Sequence, residues 1–241
     1  MIDIHNHSLP GLDDGAKDIE QSILMCQMAL NSGISHILMT PHIYMGRFEN
    51  SIDAIRSSCF LLKDTLNQRG ISINIAYAAE VMFSSEIIQL IESNCIPFVG
   101  KWEGADVILL EFPYYTMPLG MQELVDWLLA RNIVPLVAHP ERNKYFNKNK
   151  DVVQSLLKKG CLMQITSGSL LGKFGTDSRA CAKYMIEKNW VSVVATDSHN
   201  CSRRAPDLNF AEKEITNIFS ANVADKLLRE LPWELTKQHW V

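Results

Sequence analysis

Ile133-Val134-Pro135-Leu136-Val137-Ala138, followed at once by His139-Pro140-Glu141-Arg142, joins a short apolar run to a cluster of polar, chemistry-bearing side chains. A run of this length reads as a strand. Polar residues placed where such a strand ends are what a barrel needs, because barrel sites are built from loops at the C-terminal ends of the strands.

Working outward, six further runs of the same kind occur: Ile2 to Ile4, His36 to Met39, Ile71 to Ala78, Val107 to Phe112, Leu162 to Ile165, and Val191 to Ala195. Segments of helical period separate them, at about 17–32, 51–69, 84–93, 120–131, 150–159 and 176–189, with two more after 207. Gly33, Gly70 and Gly160 each follow a helical run, where a left-handed residue closes the helix. No repeat or low-complexity linker interrupts the alternation. The pattern predicts an α/β fold, a closed or nearly closed (β/α) barrel spanning 1–241 as one domain. A chain of 241 residues is ample for that.

Bulk properties narrow the partners. Hydrophobic residues make up 47% and charged residues 21%, which is globular composition with little room for extended disorder. A net charge of -4 gives no basic field for nucleic acid or an anionic membrane. Bound divalent cations would more than cancel it, which makes an anionic substrate reasonable. The N-terminal Met1-Ile2-Asp3-Ile4-His5 lacks the basic and apolar segments of a signal peptide. No stretch approaches the roughly 20 apolar residues of a membrane span. The six cysteines carry no CxxC pair, as expected of reduced thiols. A cytoplasmic protein is expected.

His5, His7, His42, Glu80, Glu111, His139, Asp197 and His199 fall at or just beyond predicted strand ends. In an extended chain the two-residue spacing of His5 and His7 turns both imidazoles to one face, and Asp197-Ser198-His199 repeats that spacing. Glu80 and Glu111 sit in apolar surroundings, where an unpartnered carboxylate is costly. Either Asp13 or Asp14 could serve as an N-cap for the helix starting near Lys17. Of seven histidines, His36 is expected to pack beside its strand and His239 to be solvated. Nitrogen and oxygen donors in this number, without cysteine, exceed one tetrahedral zinc and suit two or three ions of manganese, iron or zinc type.

Arg142, and the pair Arg203-Arg204 beyond His199, lie close in sequence to these ligands, and a guanidinium fork suits phosphate oxygens. Other chemistries are disfavoured. No cysteine heads a Cys-x5-Arg loop, and no GxSxG elbow or Rossmann glycine fingerprint occurs. The segment Gly168 to Phe174 is one residue short of a phosphate loop and reads as a turn.

The segments IHNH, LPGLDDGAKD, TPH followed by YMGRFEN, AAE, LLEFP, AHPERN and ATDSHN resemble the PHP (polymerase and histidinol phosphatase) superfamily. Within it they most resemble the metal-dependent tyrosine-protein phosphatases of bacterial capsule and exopolysaccharide loci, the CpsB/CapC/YwqE group. The resemblance runs from residue 1 to about 210 and implies a distorted (β/α)7 barrel with three Mn2+ ions, iron or zinc being alternatives. It implies a first ion on His5, His7, Glu80 and Asp197. Glu80 as a bridge, with Glu111 and His139, would hold a second, and Asp14, His42 and His199 a third. Asp13 would stand behind the ligands, and Arg142 and Arg204 would bind phosphate. The family usually has proline near Ala205, so that loop departs from the pattern. The implied reaction is hydrolysis of phosphotyrosine by metal-activated water, on the tail of a membrane tyrosine autokinase. Two other readings stand beside it: another phosphoesterase of the same fold, such as a histidinol phosphatase or phosphodiesterase, and a non-catalytic, metal-stabilised binding module.

Overall fold

Seven parallel strands close into a ring in a computed structural model that describes residues 1–240; Val241, the last residue of the expected domain, lies outside the described residues. The strands are β1 (Ile2–Asp3), β2 (His36–Met39, resumed at His42–Tyr44), β3 (Asn74–Tyr77, resumed at Glu80–Met82), β4 (Ala105–Glu111), β5 (Ile133–Ala138), β6 (Leu162–Thr166) and β7 (Val193–Ala195). Each pairs in parallel with the next in chain order. Closure of β7 onto β1 runs through Asp197 N–H to His5 O and His7 N–H to Ser198 O, both at 2.8 Å. The expected (β/α)7 barrel is what forms.

Period-two alternation divides the apolar residues between two cores. Ile2, Ile4, Leu38, Val107, Leu109, Leu136, Ala138, Val193 and Ala195 point inward and fill the barrel. Ile37, Met39, Ile108, Leu110, Val137, Met163, Ile165 and Val194 point outward, onto the helices. Those helices include α1 (Ile19–Asn31), α2 (Ile52–Gln68), α3 (Ile87–Glu92), α4 (Met121–Leu129), α5 (Lys150–Lys158), α6 (Thr176–Glu187) and α7 (Asn209–Ile218). Gly33, Gly70 and Gly160 all have positive φ just past their helices, as the sequence requires.

Several expectations need correction. The N-cap of α1 is Asp18, which accepts the Gln21 N–H at 2.9 Å; neither Asp13 nor Asp14 caps it. β3 starts at Asn74 rather than Ile71, because the Ile71 N–H bonds Leu66 O and closes α2. Gly168 to Phe174 begins within a helical turn, Ser167–Leu170, and only its second half, from Leu171, is the expected turn. Two hairpins were not foreseen: Phe48–Glu49 folds back on the upper half of β2, and Gly100–Trp102 runs antiparallel to the lower half of β4. That second hairpin is where the barrel is distorted, since β3 pairs with β4 only through Glu80–Met82.

The C-terminal segment plugs this distortion. Leu235 is wholly buried in the inner core, and Trp240 packs against it. A Cβ on Gly100 would sit 1.9 Å from Leu235 O, so only glycine lets the two backbones meet. His36 packs beside its strand against the edges of Trp233 and Trp240. His239 is not free in solvent: its Nε2 donates to Val99 O at 2.9 Å.

Candidate metal centre

Every ligand expected from the sequence arrives at one mouth of the barrel. His5 Nε2 lies 3.1 Å from Glu80 Oε2 and 3.4 Å from Asp197 Oδ1. His7 Nε2 lies 3.3 Å from His5 Nε2, 3.3 Å from Glu80 Oε2 and 3.4 Å from Asp197 Oδ1. Ligand bonds of about 2.1 Å place neighbouring donor atoms roughly 3.0 to 3.4 Å apart in octahedral or tetrahedral geometry, the spacing seen here. Among the described residues, His5, His7, Glu80 and Asp197 form one such group.

A second group is His7, Asp14, His42 and His199. Asp14 Oδ1 stands 3.4 Å from His199 Nε2 and 3.6 Å from His42 Nε2. A third gathers His42, Glu80 and Glu111. His139 joins that side with Nε2 at 2.9 Å from Glu80 Oε1 and 3.6 Å from Glu111 Oε1. Glu80 therefore bridges the groups. His5, His7 and Glu80 are fully buried, whereas the Asp14 side chain is 43% exposed and forms the outer lip.

The donor chemistry fits cations. His42 Nδ1, Glu80 Oε2 and Glu111 Oε2 are buried without a hydrogen-bond partner among the described residues. Such groups are costly unless something positive satisfies them. Burial, then the charges of Glu80 and Asp197, push the Glu111 carboxyl well above the usual carboxylate range. Burial pushes His42 and His139 down to about 4, so both present neutral lone pairs at neutral pH.

Residues behind the ligands aim them. His5 Nδ1 meets Gln164 Oε1 at 2.8 Å, and His7 Nδ1 meets Asp13 Oδ2 at 2.6 Å, which leaves each Nε2 lone pair facing the cluster. Asp3 accepts Thr196 N–H at 2.8 Å and its hydroxyl at 2.6 Å, fixing the end of β7 just before Asp197. Glu141 takes the Thr166 N–H at 2.9 Å and the Ser169 hydroxyl at 2.6 Å, and full burial pushes its carboxyl up to about 7. His139 and Asp197 have φ of 33° and 49°, left-handed values that turn each side chain off its strand end into the cavity. Sequence reasoning missed Asp3, Glu141 and Gln164. Gln164 had one signal: a polar residue inside the apolar run Leu162 to Ile165.

The two arginines converge on the ligand that the inner group shares. Asp197 Oδ2 accepts from Arg142 Nη1 and, at 2.6 Å, from Arg204 Nη2. Against the effect of burial, Arg142 and then Arg204 hold this carboxyl well below its usual range. Both guanidiniums lie over Phe174, 4.3 and 6.0 Å from its ring centre. Arg203 is exposed and does not line the cavity, so Arg204 is the arginine that enters the site. The cavity, about 160 Å³, is lined by Asp14, His42, Glu80, Glu111, His139, Asp197, His199, Arg142 and Arg204, with Tyr44, Arg47 and Met82 completing its wall.

Fold and site together define a continuous array of candidate metal ligands, flanked by a pair of arginines, at the mouth of a seven-stranded α/β barrel. The chain belongs to the capsular polysaccharide synthesis CpsB/CapC family, whose model matches residues 1–237. It is 33% identical over 237 residues to the tyrosine-protein phosphatase YwqE of Bacillus subtilis, covering 98% of this chain and 89% of that one. To the tyrosine-protein phosphatase CpsB of Streptococcus agalactiae serotype V it is 30% identical over the full length of both. Among solved structures it is similar to one from a study of YwqE from B. subtilis and CpsB from Streptococcus pneumoniae, described as unique metal-dependent tyrosine phosphatases; TM-score is 0.86, identity 32%, and coverage 100% and 93%. The fold alone extends further, to the phosphotriesterase homology protein of Escherichia coli, at TM-score 0.61, 14% identity, and coverage of 98% and 97%.

Proposed function

We propose that residues 1–241 act as one domain, a metal-dependent protein-tyrosine phosphatase that holds three divalent ions, manganese being the favoured metal. The observation that carries this reading is the double role of Asp197. Its Oδ1 stands in the His5, His7 and Glu80 group while its Oδ2 takes both Arg142 and Arg204. An anion gripped by the arginines is thereby held against the metal group.

His5, His7, Glu80 and Asp197 would bind the first ion, Glu80, Glu111 and His139 the second, and Asp14, His42 and His199 the third. Bound divalent ions supply Lewis acidity, offsetting charge on phosphoryl oxygens and acidifying water at neutral pH. The chain's own residues orient the ester. Arg142 and Arg204 offer paired N–H donors to the equatorial oxygens, where charge rises in the transition state. Their stacking on Phe174 keeps the forks preorganised. A tyrosine phenol, with a pKa near 10, leaves more readily than an alkyl alcohol and asks less of a general acid.

The cavity of about 160 Å³ has room for a phosphoryl group but leaves the rest of the substrate at the mouth. An exposed, flexible segment suits that entrance, which favours the phosphotyrosine-bearing tail of a bacterial tyrosine kinase that governs capsule or exopolysaccharide synthesis. Among the described residues no helix is long and apolar enough to cross a membrane, in keeping with action on such a tail from the cytoplasm.

Phosphate release from a tyrosine-phosphorylated kinase tail, with added Mn2+ and with chelator, tests the proposal. Metal-dependent release is expected, faster than from histidinol phosphate or a diester. Preference for either of those would reassign the chain to another reaction of the same fold. Metal binding with no release from any of the three would leave a binding module.

A further inference from the structure

Arg142 and Arg204 account for the cavity wall beside Asp197, but Tyr44, Arg47 and Met82 also line it without a part in phosphate chemistry, and Arg47 stands at its Asp14 lip. Tyr44 and Arg47 belong to the hairpin that the upper half of β2 makes with Phe48–Glu49, and Met82 ends the upper half of β3. Arg47 is built into a stack. Its guanidinium carbon lies 4.8 Å from the Phe48 ring centre and 6.0 Å from that of Tyr44. Phe48 in turn lies flat on the imidazole of His42, 5.6 Å between centres and 7° between planes. A ring in the metal group thus carries a phenylalanine, which carries a guanidinium.

That arrangement does not look like a surface ion pair. Arg47 Nη2 reaches only 4.0 Å from Asp14 Oδ2, and the arginine side chain is 60% exposed, so Coulomb attraction there is weak. What holds the group is the aromatic stack, and the stack fixes a planar cation at the lip of a cavity whose inner end is lined by the candidate ligands and the arginine pair. The Tyr44 phenol stands beside it and the Met82 thioether lines the same cavity, both suited to contact with an aryl face.

Resting on the phosphatase reading, we propose that Arg47, with Tyr44 and Met82, forms the aryl wall of the substrate site and determines preference for phenolic over alkyl phosphoesters. The guanidinium plane meets the substrate ring while the phosphoryl group sits at Arg142 and Arg204. Recognition of the ring is thereby separated from recognition of the phosphate.

Competitive inhibition of the Mn-loaded enzyme by phenylphosphonate and by methylphosphonate separates the two. In Arg47→Ala the Ki of phenylphosphonate is expected to rise about tenfold, while that of methylphosphonate changes by less than about twofold. For a phosphotyrosine peptide KM rises and kcat stays within about threefold. Arg47→Lys keeps the charge but not the plane, and is expected to behave like Arg47→Ala. Arg203→Ala, outside the cavity, should leave both constants as they are. Equal effects on the two phosphonates, no effect on either, full recovery in Arg47→Lys, or loss of bound metal in Arg47→Ala would each overturn the proposal. A wild-type enzyme that releases no phosphate from any aryl ester fails the phosphatase reading instead, a distinct result.

Discussion

His7 and Asp13 share a 2.6 Å hydrogen bond, from Nδ1 to Oδ2, in which the same carboxylate oxygen also receives the His42 backbone N–H at 2.9 Å. One buried side chain thus orients an imidazole on the β1 side and anchors the start of the upper half of β2. Its other oxygen takes the Gly15 N–H at 2.9 Å. Asp13→Asn keeps the shape but removes the charge and one acceptor. Metal affinity should fall about 10- to 100-fold, with little change in the far-ultraviolet circular dichroism of the metal-loaded protein. Calorimetric titration of the metal-free protein with Mn2+ measures it, and unchanged affinity would show that Asp13 serves only the loop.

Gly15 closes the same loop against His7. A Cβ there would stand 2.0 Å from His7 O and 2.5 Å from His7 Cβ, and the atoms in the way are backbone or next to it. Gly15→Ala must therefore push the loop away from β1, moving His7, Asp13 and Asp14 together. Expected is loss of bound metal, by elemental analysis of the purified variant, and at least about a hundredfold loss of phosphatase activity. Full metal occupancy in this variant would mean that the loop bends without cost.

Asp197 separates two kinds of failure. Asp197→Ala removes a ligand from the inner group and also releases Arg142 and Arg204, so metal content and turnover should both collapse. His139→Ala should likewise abolish turnover while leaving the fold largely intact. Arg142→Lys spares every ligand but replaces a fork by a point charge, and kcat/KM should fall about 10²- to 10³-fold with metal content unchanged. Stopped-time phosphate release, paired with metal analysis, distinguishes the three. Full activity in either alanine variant would sink the assignment of these residues.

How much of this was legible in the chain depended on whether a residue's role is local. The strand runs and glycine stops predict the barrel well because period and capping are short-range properties, and Ile133–Ala138 is a strand with the predicted bounds. Arg204 could not be told from Arg203 by spacing alone, since only the backbone of the loop decides which side chain turns in. Gln164, on β6, reaches His5 past the closing strand β7, 159 residues away, and only ring closure brings them together. The Gly100–Trp102 hairpin has three residues and no strong alternation, so its pairing with β4 rests on tertiary contact. Resemblance supplied the grouping of ligands into three ions, which spacing alone left open.

His239 gives a prediction about stability rather than turnover. Its Nε2 donates to Val99 O, and burial holds its pKa below the ordinary 6.5. The unfolded chain then binds more protons at this position than the folded one whenever pH lies between the two values. Stability from His239 is therefore complete above about 6.5 and is lost as pH falls through that window. His239→Gln can keep a donor to Val99 O but does not titrate. Thermal unfolding of both proteins between pH 8 and pH 5.5 should show wild type losing stability relative to the variant on acidification. The histidines of the metal centre are common to both and cancel in the difference. A difference that stays constant, or that favours wild type at low pH, would mean that docking of the C-terminal segment on the barrel is indifferent to the charge of His239.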